Sequence, residues 1–151
     1  MIKASCSIPL VCPPYIVKGI PYYDGALSDP IPVEKAFSMG CDRVVLILTR
    51  PKDFRRKQGK DLLIARGIRK KYPKAAARME QRAENYNAWL DKAVSMERQG
   101  KVLIIAPDDT CGMDTLTRDT SAMKKFYEKG FQDGGAITRY LHVSCDQVME
   151  L

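Results

Sequence analysis

The chain is poor in groups that usually carry metal, redox or membrane-spanning chemistry. It has one histidine, His142, among 151 residues. That leaves no His-rich ligand set, and a lone histidine on a short apolar helix reads as structural or surface rather than as a base. Its five cysteines (Cys6, Cys12, Cys41, Cys111, Cys145) are odd in number, scattered, and never spaced C-x-x-C. A disulfide framework and a zinc site are therefore both disfavoured, and reduced thiols are expected. Asp108, Asp109 and Asp114 fall in one loop without the regular carboxylate spacing of a calcium site, so a solvated loop is expected. No metal or cofactor is expected. No stretch of about 18 consecutive apolar residues exists to cross a bilayer. Nor does Met1-Ile2-Lys3-Ala4-Ser5-Cys6 lead from a charged start into an apolar stretch, so no signal peptide is read and a cytoplasmic protein is expected. Internal repeats and low-complexity tracts are missing too.

Ordinary globular material is present: 45% hydrophobic and 28% charged residues, enough for a sizeable core. The net charge of +7 is uneven. Residues 43–82 hold fourteen Lys or Arg against Asp53, Asp61 and Glu80, a local +11, which leaves −4 for the remainder. Such asymmetry suits an anionic partner, and Arg69, Lys70 and Lys71 form its densest run. The plainer alternative is a solvated pair of helices. Few aromatics interleave the basic stretch and it carries no reader motif, so no nucleic-acid partner is expected.

Six of the nine prolines (Pro9, Pro13, Pro14, Pro21, Pro30, Pro32) crowd the first 32 residues, predicting short extended pieces there and excluding helix. Tyr15-Ile16-Val17 and Tyr22-Tyr23 read as extended arms, and Asp24-Gly25 as a turn before Ala26-Leu27. Pro32 to Met39 reads as a short helix stopped by Gly40. Val44 to Leu48 is a continuous apolar run, predicting a strand buried on both faces of a parallel sheet. Asp61 to Tyr72 is predicted helical with Leu62, Ile64, Ala65 and Ile68 on one face, closed by Pro73. Met79, Ala83, Tyr86, Leu90 and Val94 recur at three- and four-residue steps, predicting a long amphipathic helix ended by Gly100, with Tyr86 and Trp89 as core or interface residues. Val102 to Ala106 reads as a second buried strand. A loop follows, then a helix from Asp119 to Phe131 with Met123, Phe126 and Tyr127 inward, and a last helix from Ala136 to Leu141. The class is α/β, with too few strands for a complete parallel sheet.

An Asp-Gly turn alone carries no function. Its setting does: Ala4-Ser5-Cys6-Ser7-Ile8-Pro9, then Pro13-Pro14, then Gly19-Ile20-Pro21-Tyr22-Tyr23-Asp24-Gly25-Ala26, with Pro30-Ile31-Pro32-Val33 after it. This succession resembles the second half of the patatin-like phospholipase family, where A-S-x-S-I-P leads into a hairpin ending in D-G-G or D-G-A. Arg43 to Pro51 resembles the strand that follows in those proteins. The later helices and the Ile105-Ala106-Pro107 strand end resemble the C-terminal extension of a bacterial branch. The resemblance implies a partial three-layer α/β fold, in which residues 1–51 are the end of a catalytic domain and residues 52–151 an extension. It also implies hydrolysis of lipid acyl esters by a Ser-Asp dyad, with Asp24 as the base and Gly25 as a structural member of the motif. A carboxylate serves as base when it is held within hydrogen-bond reach of the serine hydroxyl and partly shielded from water.

The chain departs from that family at one decisive point. None of its ten glycines is followed two residues later by serine, so G-x-S-x-G is absent, as is the upstream glycine-rich oxyanion loop. Ser5 and Ser7 fall in a structural stretch of the family pattern. Two readings remain open at this level. In one, the chain is a C-terminal piece of a serine lipid hydrolase, inactive alone, meeting lipid or phospholipid substrate and touching anionic membrane from the outside. In the other, it is a non-catalytic module whose basic helices engage anionic membrane or a partner protein. Homo-oligomers through unpaired strands are expected under either.

Overall fold

In chain order the computed structural model, which describes residues 2–114 and 116–141, runs as follows. Helix α1 is Ile2–Ser5, strands β1 and β2 are Tyr15–Val17 and Ile20–Tyr22, and a single 3-10 turn covers Gly25–Leu27. Helix α2 is Val33–Ser38, strand β3 Val44–Ile47, helix α3 Gly59–Ile68 and helix α4 Pro73–Arg98. Strand β4 is Val102–Ile105, followed by α5, Thr120–Gly134, and α6, Ala136–Leu141. The chain is α/β. His142 and Cys145 lie outside the described residues. No helix among the described residues is long and apolar enough to cross a membrane.

The chain forms two units, each taking two segments: residues 1–32 with 55–92, and residues 33–54 with 93–151. In the first, β1 and β2 pair antiparallel with Tyr15 opposite Tyr22, Ile16 opposite Pro21 and Val17 opposite Ile20. Lys18 (φ 48°) and Gly19 (φ 78°) both turn left-handed between them. Two successive positive φ angles match the twist of the strands, and glycine takes the second at no steric cost. Gly19→Ala should therefore cost about 1–2 kcal/mol in chemical unfolding, the usual penalty for a Cβ in that conformation.

The proline-rich start is not free of helix, as the sequence suggested. Helix α1 ends before Pro9, and the 3-10 turn falls between Pro21 and Pro30, so both escape the ring's clash with a preceding carbonyl. Behind the hairpin, Leu27, Ala65, Ile68, Ala76 and Met79 are buried together, with Tyr23, Ile64, Tyr72 and Ala75 packed on them. The apolar face expected of α3 is there, with Leu63 left exposed outside it. Pro73 opens α4 besides closing what precedes it, because the first helical position needs no free N–H. Along the 26 residues of α4 the buried positions are Ala76, Met79, Ala83, Leu90 and Ala93; of the expected stripe Met79, Ala83 and Leu90 are buried, while Tyr86 and Val94 are half-buried.

In the second unit β3 and β4 pair parallel, Val44 to Val102 through Ile47 to Ile105. β4 is buried at Val102, Ile104 and Ile105. β3 is not buried on both faces: Val44, Val45 and Leu46 are half-covered and Ile47 is 67% exposed. Among the described residues the sheet has only these two strands, so a run suited to full burial finds cover on one side only. Gly100 (φ 73°) ends α4, its N–H bonding the Glu97 carbonyl at 2.9 Å. Glu97 itself holds the Lys52 ammonium at 2.7 Å and accepts the Ile104 amide at 3.0 Å. Helix α5 also differs from expectation. Phe126 is half-buried, but Met123 and Tyr127 are exposed and no α5 residue is fully buried. Of the three residues expected inward, only Phe126 finds partial cover among the described residues.

Candidate functional site

The hairpin delivers the chain to Asp24, and two backbone contacts fix it there. The Asp24 N–H donates to the Ser7 carbonyl at 3.0 Å, tying the site to the segment just after α1. The carboxylate Oδ1 accepts the Ala26 N–H at 2.9 Å, capping the 3-10 turn whose last residue, Leu27, is buried in the core. Among the described residues the other carboxylate oxygen has no hydrogen-bond partner. It therefore keeps lone pairs for an incoming proton. Gly25 is exposed, and a Cβ there would meet nothing within 4 Å, so no crowding in the described structure demands glycine at this position.

Asp24 opens on a groove of about 730 Å³ within the first unit. Tyr22, Tyr23 and Asp24 line it together with Tyr72 and the first turns of α4, including Lys74 and Arg78. Tyr23 and Tyr72 meet edge to face, ring centroids 5.5 Å apart. Burial pushes the Tyr23 phenol above the usual tyrosine range, and Tyr72 beside it adds to the effect, so Tyr23 stays a neutral hydrogen-bonding group at physiological pH. The same two rings and Lys71 also border a smaller groove of about 380 Å³, lined as well by Leu10 and Pro13.

The three cations singled out by sequence have separate fates. Arg69 is paired with Glu80, Lys70 is exposed, and Lys71 lines the groove with its ammonium 5.4 Å from the Tyr72 ring centroid. Elsewhere in the chain several cations are matched by carboxylates of their own unit. Arg50 pairs with Asp114, Lys52 with Glu97 and Arg55 with Asp91. Asp108 is held by Lys129, which lowers the carboxyl's proton affinity and raises that of the ammonium. Among the described residues no group of three His, Cys, Asp or Glu side chains could hold a metal ion.

Sequence reasoning missed a cluster behind the groove. The Asp61 side chain is 1% exposed and takes a two-pronged hydrogen bond from Arg56, 2.8 Å at each oxygen, with Arg82 3.8 Å away. Burial lowers the proton affinity of the Arg82 guanidinium, and Arg56 lowers it further, while Asp61 and Asp24 oppose the shift. Asp24 is thus felt electrostatically by Arg82. The i, i+5 spacing of Arg56 and Asp61 gave little sign of this, and Arg82 arrives from the next helix.

Two family models match parts of the chain. Residues 1–37 match the patatin-like phospholipase model. Residues 72–142 match a domain of unknown function (DUF6363). No curated protein and no solved structure matches the chain. The first match contains Asp24 and Gly25 and ties the N-terminal segment to a family of lipid hydrolases. Tyr72, Lys74 and Arg78, which also line the groove, fall in the second match, so residues of both matched segments border one opening.

Proposed function

We propose that this chain supplies the general-base half of a patatin-like lipid acyl hydrolase. The observation that carries the reading is Asp24 itself. It is a carboxylate anchored at both its amide and one oxygen, open on a tyrosine-lined groove, within the segment that matches the patatin-like phospholipase model. In this reading a serine outside the chain gives its proton to Asp24 as its Oγ attacks the ester carbonyl. The proton then passes to the departing alkoxide, and water attacks the acyl-serine with Asp24 again as base. Residues 1–51 belong to the catalytic part and residues 52–151 extend it. The substrate is a lipid acyl ester met at the face of an anionic membrane, and the open edges of the β3–β4 sheet are where copies of the chain would associate.

The test begins with the 151-residue chain alone, which is expected to hydrolyse short acyl esters no faster than background. Ser7 is poorly placed to replace the missing nucleophile, being buried with its hydroxyl donating to the Lys3 carbonyl at 3.1 Å. Extending the chain through an in-frame upstream G-x-S-x-G should bring turnover. An upstream frame without that motif, or turnover by the short chain that vanishes on Ser5→Ala, would replace this reading with another. The non-catalytic binding module would then take its place, or a different hydrolase.

A further inference from the structure

We infer that the α4 side of the Asp24 groove is a binding site for a phosphate monoester, formed by Lys71, Lys74 and Arg78. Such a site deepens the proposed function, because the ligand would be the polar end of the same acyl ester. It rests on that reading only for what the ligand is attached to.

Nine of the fourteen cations of residues 43–82 are set apart by a carboxylate partner or by a place on the groove. Arg50, Lys52, Arg55, Arg56, Arg69 and Arg82 each have a carboxylate within ion-pair reach. Among the described residues Lys71, Lys74 and Arg78 have none, yet all three line one groove. Lys74 and Arg78 lie four residues apart on α4 and so share a face, and Lys71 precedes them at the helix entrance. Lys71 is held at its amide by the Ile68 carbonyl at 3.1 Å.

Three cations bordering one opening are more than a carboxylate requires. A phosphate monoester carries a charge of roughly −1.5 to −2 at neutral pH and three strong acceptor oxygens, which matches two ammonium groups and a guanidinium fork. A diester capped by choline has one negative charge and brings a cation of its own, which these side chains would repel. Tyr22, Tyr23 and Tyr72 give the same groove an apolar body beside the charged end. Lys74 and Arg78 belong to the segment matched as a domain of unknown function. That segment would then select the head of the ligand, with the reacting bond lying toward Asp24.

The experiment titrates the 151-residue chain calorimetrically with four probes. These are 1-hexanoylglycerol 3-phosphate, its choline-capped diester, uncharged 1-hexanoylglycerol, and inorganic phosphate. The phosphate monoester should bind about tenfold more tightly than the capped or uncharged ester, with the preference shrinking as salt rises. Lys71→Gln, Lys74→Gln and Arg78→Gln should each weaken it by about threefold, and together by roughly tenfold or more. Arg69→Gln and Lys70→Gln should leave it unchanged. All five side chains are exposed, so far-UV circular dichroism should show the fold intact.

Inorganic phosphate binding as tightly as the ester would assign the site to free phosphate. Weaker binding would assign it to a lipid head group. Either result supports the site if the triple variant abolishes it. Equal affinity for all three esters, or a triple variant that binds as the parent does, overturns the inference. Asp24→Asn separates the two readings. Phosphate binding that survives this change, beside turnover in the extended protein that also survives it, would sink the dyad and leave the anion site standing.

Discussion

Asp24→Asn, placed in the chain extended to include the elbow serine, should lower acyl-ester turnover by about two orders of magnitude or more. An amide has no lone pair basic enough to take the serine proton, so the attacking oxygen would have to leave its proton to water. The substitution is otherwise conservative at this site. The asparagine carbonyl can still accept the Ala26 N–H, and the backbone N–H can still donate to Ser7, so the 3-10 turn and Leu27 should stay in place. A thermal melt of the variant should accordingly sit close to the parent's while the rate collapses. Turnover above about a tenth of the parent rate would remove Asp24 from the role of base.

The second large effect concerns stability. Asp61→Ala should cost about 3–5 kcal/mol in denaturant unfolding, a large share of the roughly 5–15 kcal/mol that holds a typical domain folded. The carboxylate is buried and faces both Arg56 and Arg82, and removing it leaves two guanidinium groups repelling each other with little water to screen them. The main chain of Arg56 is held in place beside the cluster. Its backbone N–H donates to Asn87 at 2.9 Å and its carbonyl accepts from the same side chain at 3.1 Å. Asp61→Asn should fall between the parent and the alanine variant, since it keeps the shape and loses the charge. A loss below about 1 kcal/mol for Asp61→Ala would show that the cluster behaves as a surface pair does.

What could be read from sequence was whatever local spacing controls. Proline positions and extended residues gave the first hairpin arm, Tyr15–Val17, but set the second at Tyr22-Tyr23 where the strand is Ile20–Tyr22, and the steps of three and four from Met79 to Val94 gave α4 and part of its inward face. The surroundings of Asp24 singled that residue out among the twelve aspartates, although its anchoring to Ser7 required the fold. Sequence could not say what lies opposite an apolar stripe, so Met123 and Tyr127 looked inward and Ile47 looked buried. Nor could it sort one lysine from the next. Arg69, Lys70 and Lys71 stood out as a run, whereas the groove takes Lys71 from the turn before α4 together with Lys74 and Arg78, which share one face of that helix. The opposition of Arg82 to Asp61 was hidden for the same reason: partners brought together by two helices leave no mark in a short window.

The two sheets differ in how far apart their partners lie along the chain, and that difference has a consequence in time. Tyr15 to Tyr22 closes within a single hairpin, and the Ser7 clamp on Asp24 needs only a short loop. Val44 must instead find Val102 past two intervening helices. Short loops cost little entropy to close, and contacts distant in sequence slow folding. The loop that presents Asp24 is thus suited to form while most of the chain is still searching, and the parallel pairing to come late. During a slow late step the β-rich edge of Val44 to Ile47 stays open to other chains, so crowded synthesis would threaten yield before it threatened the shape of the Asp24 loop.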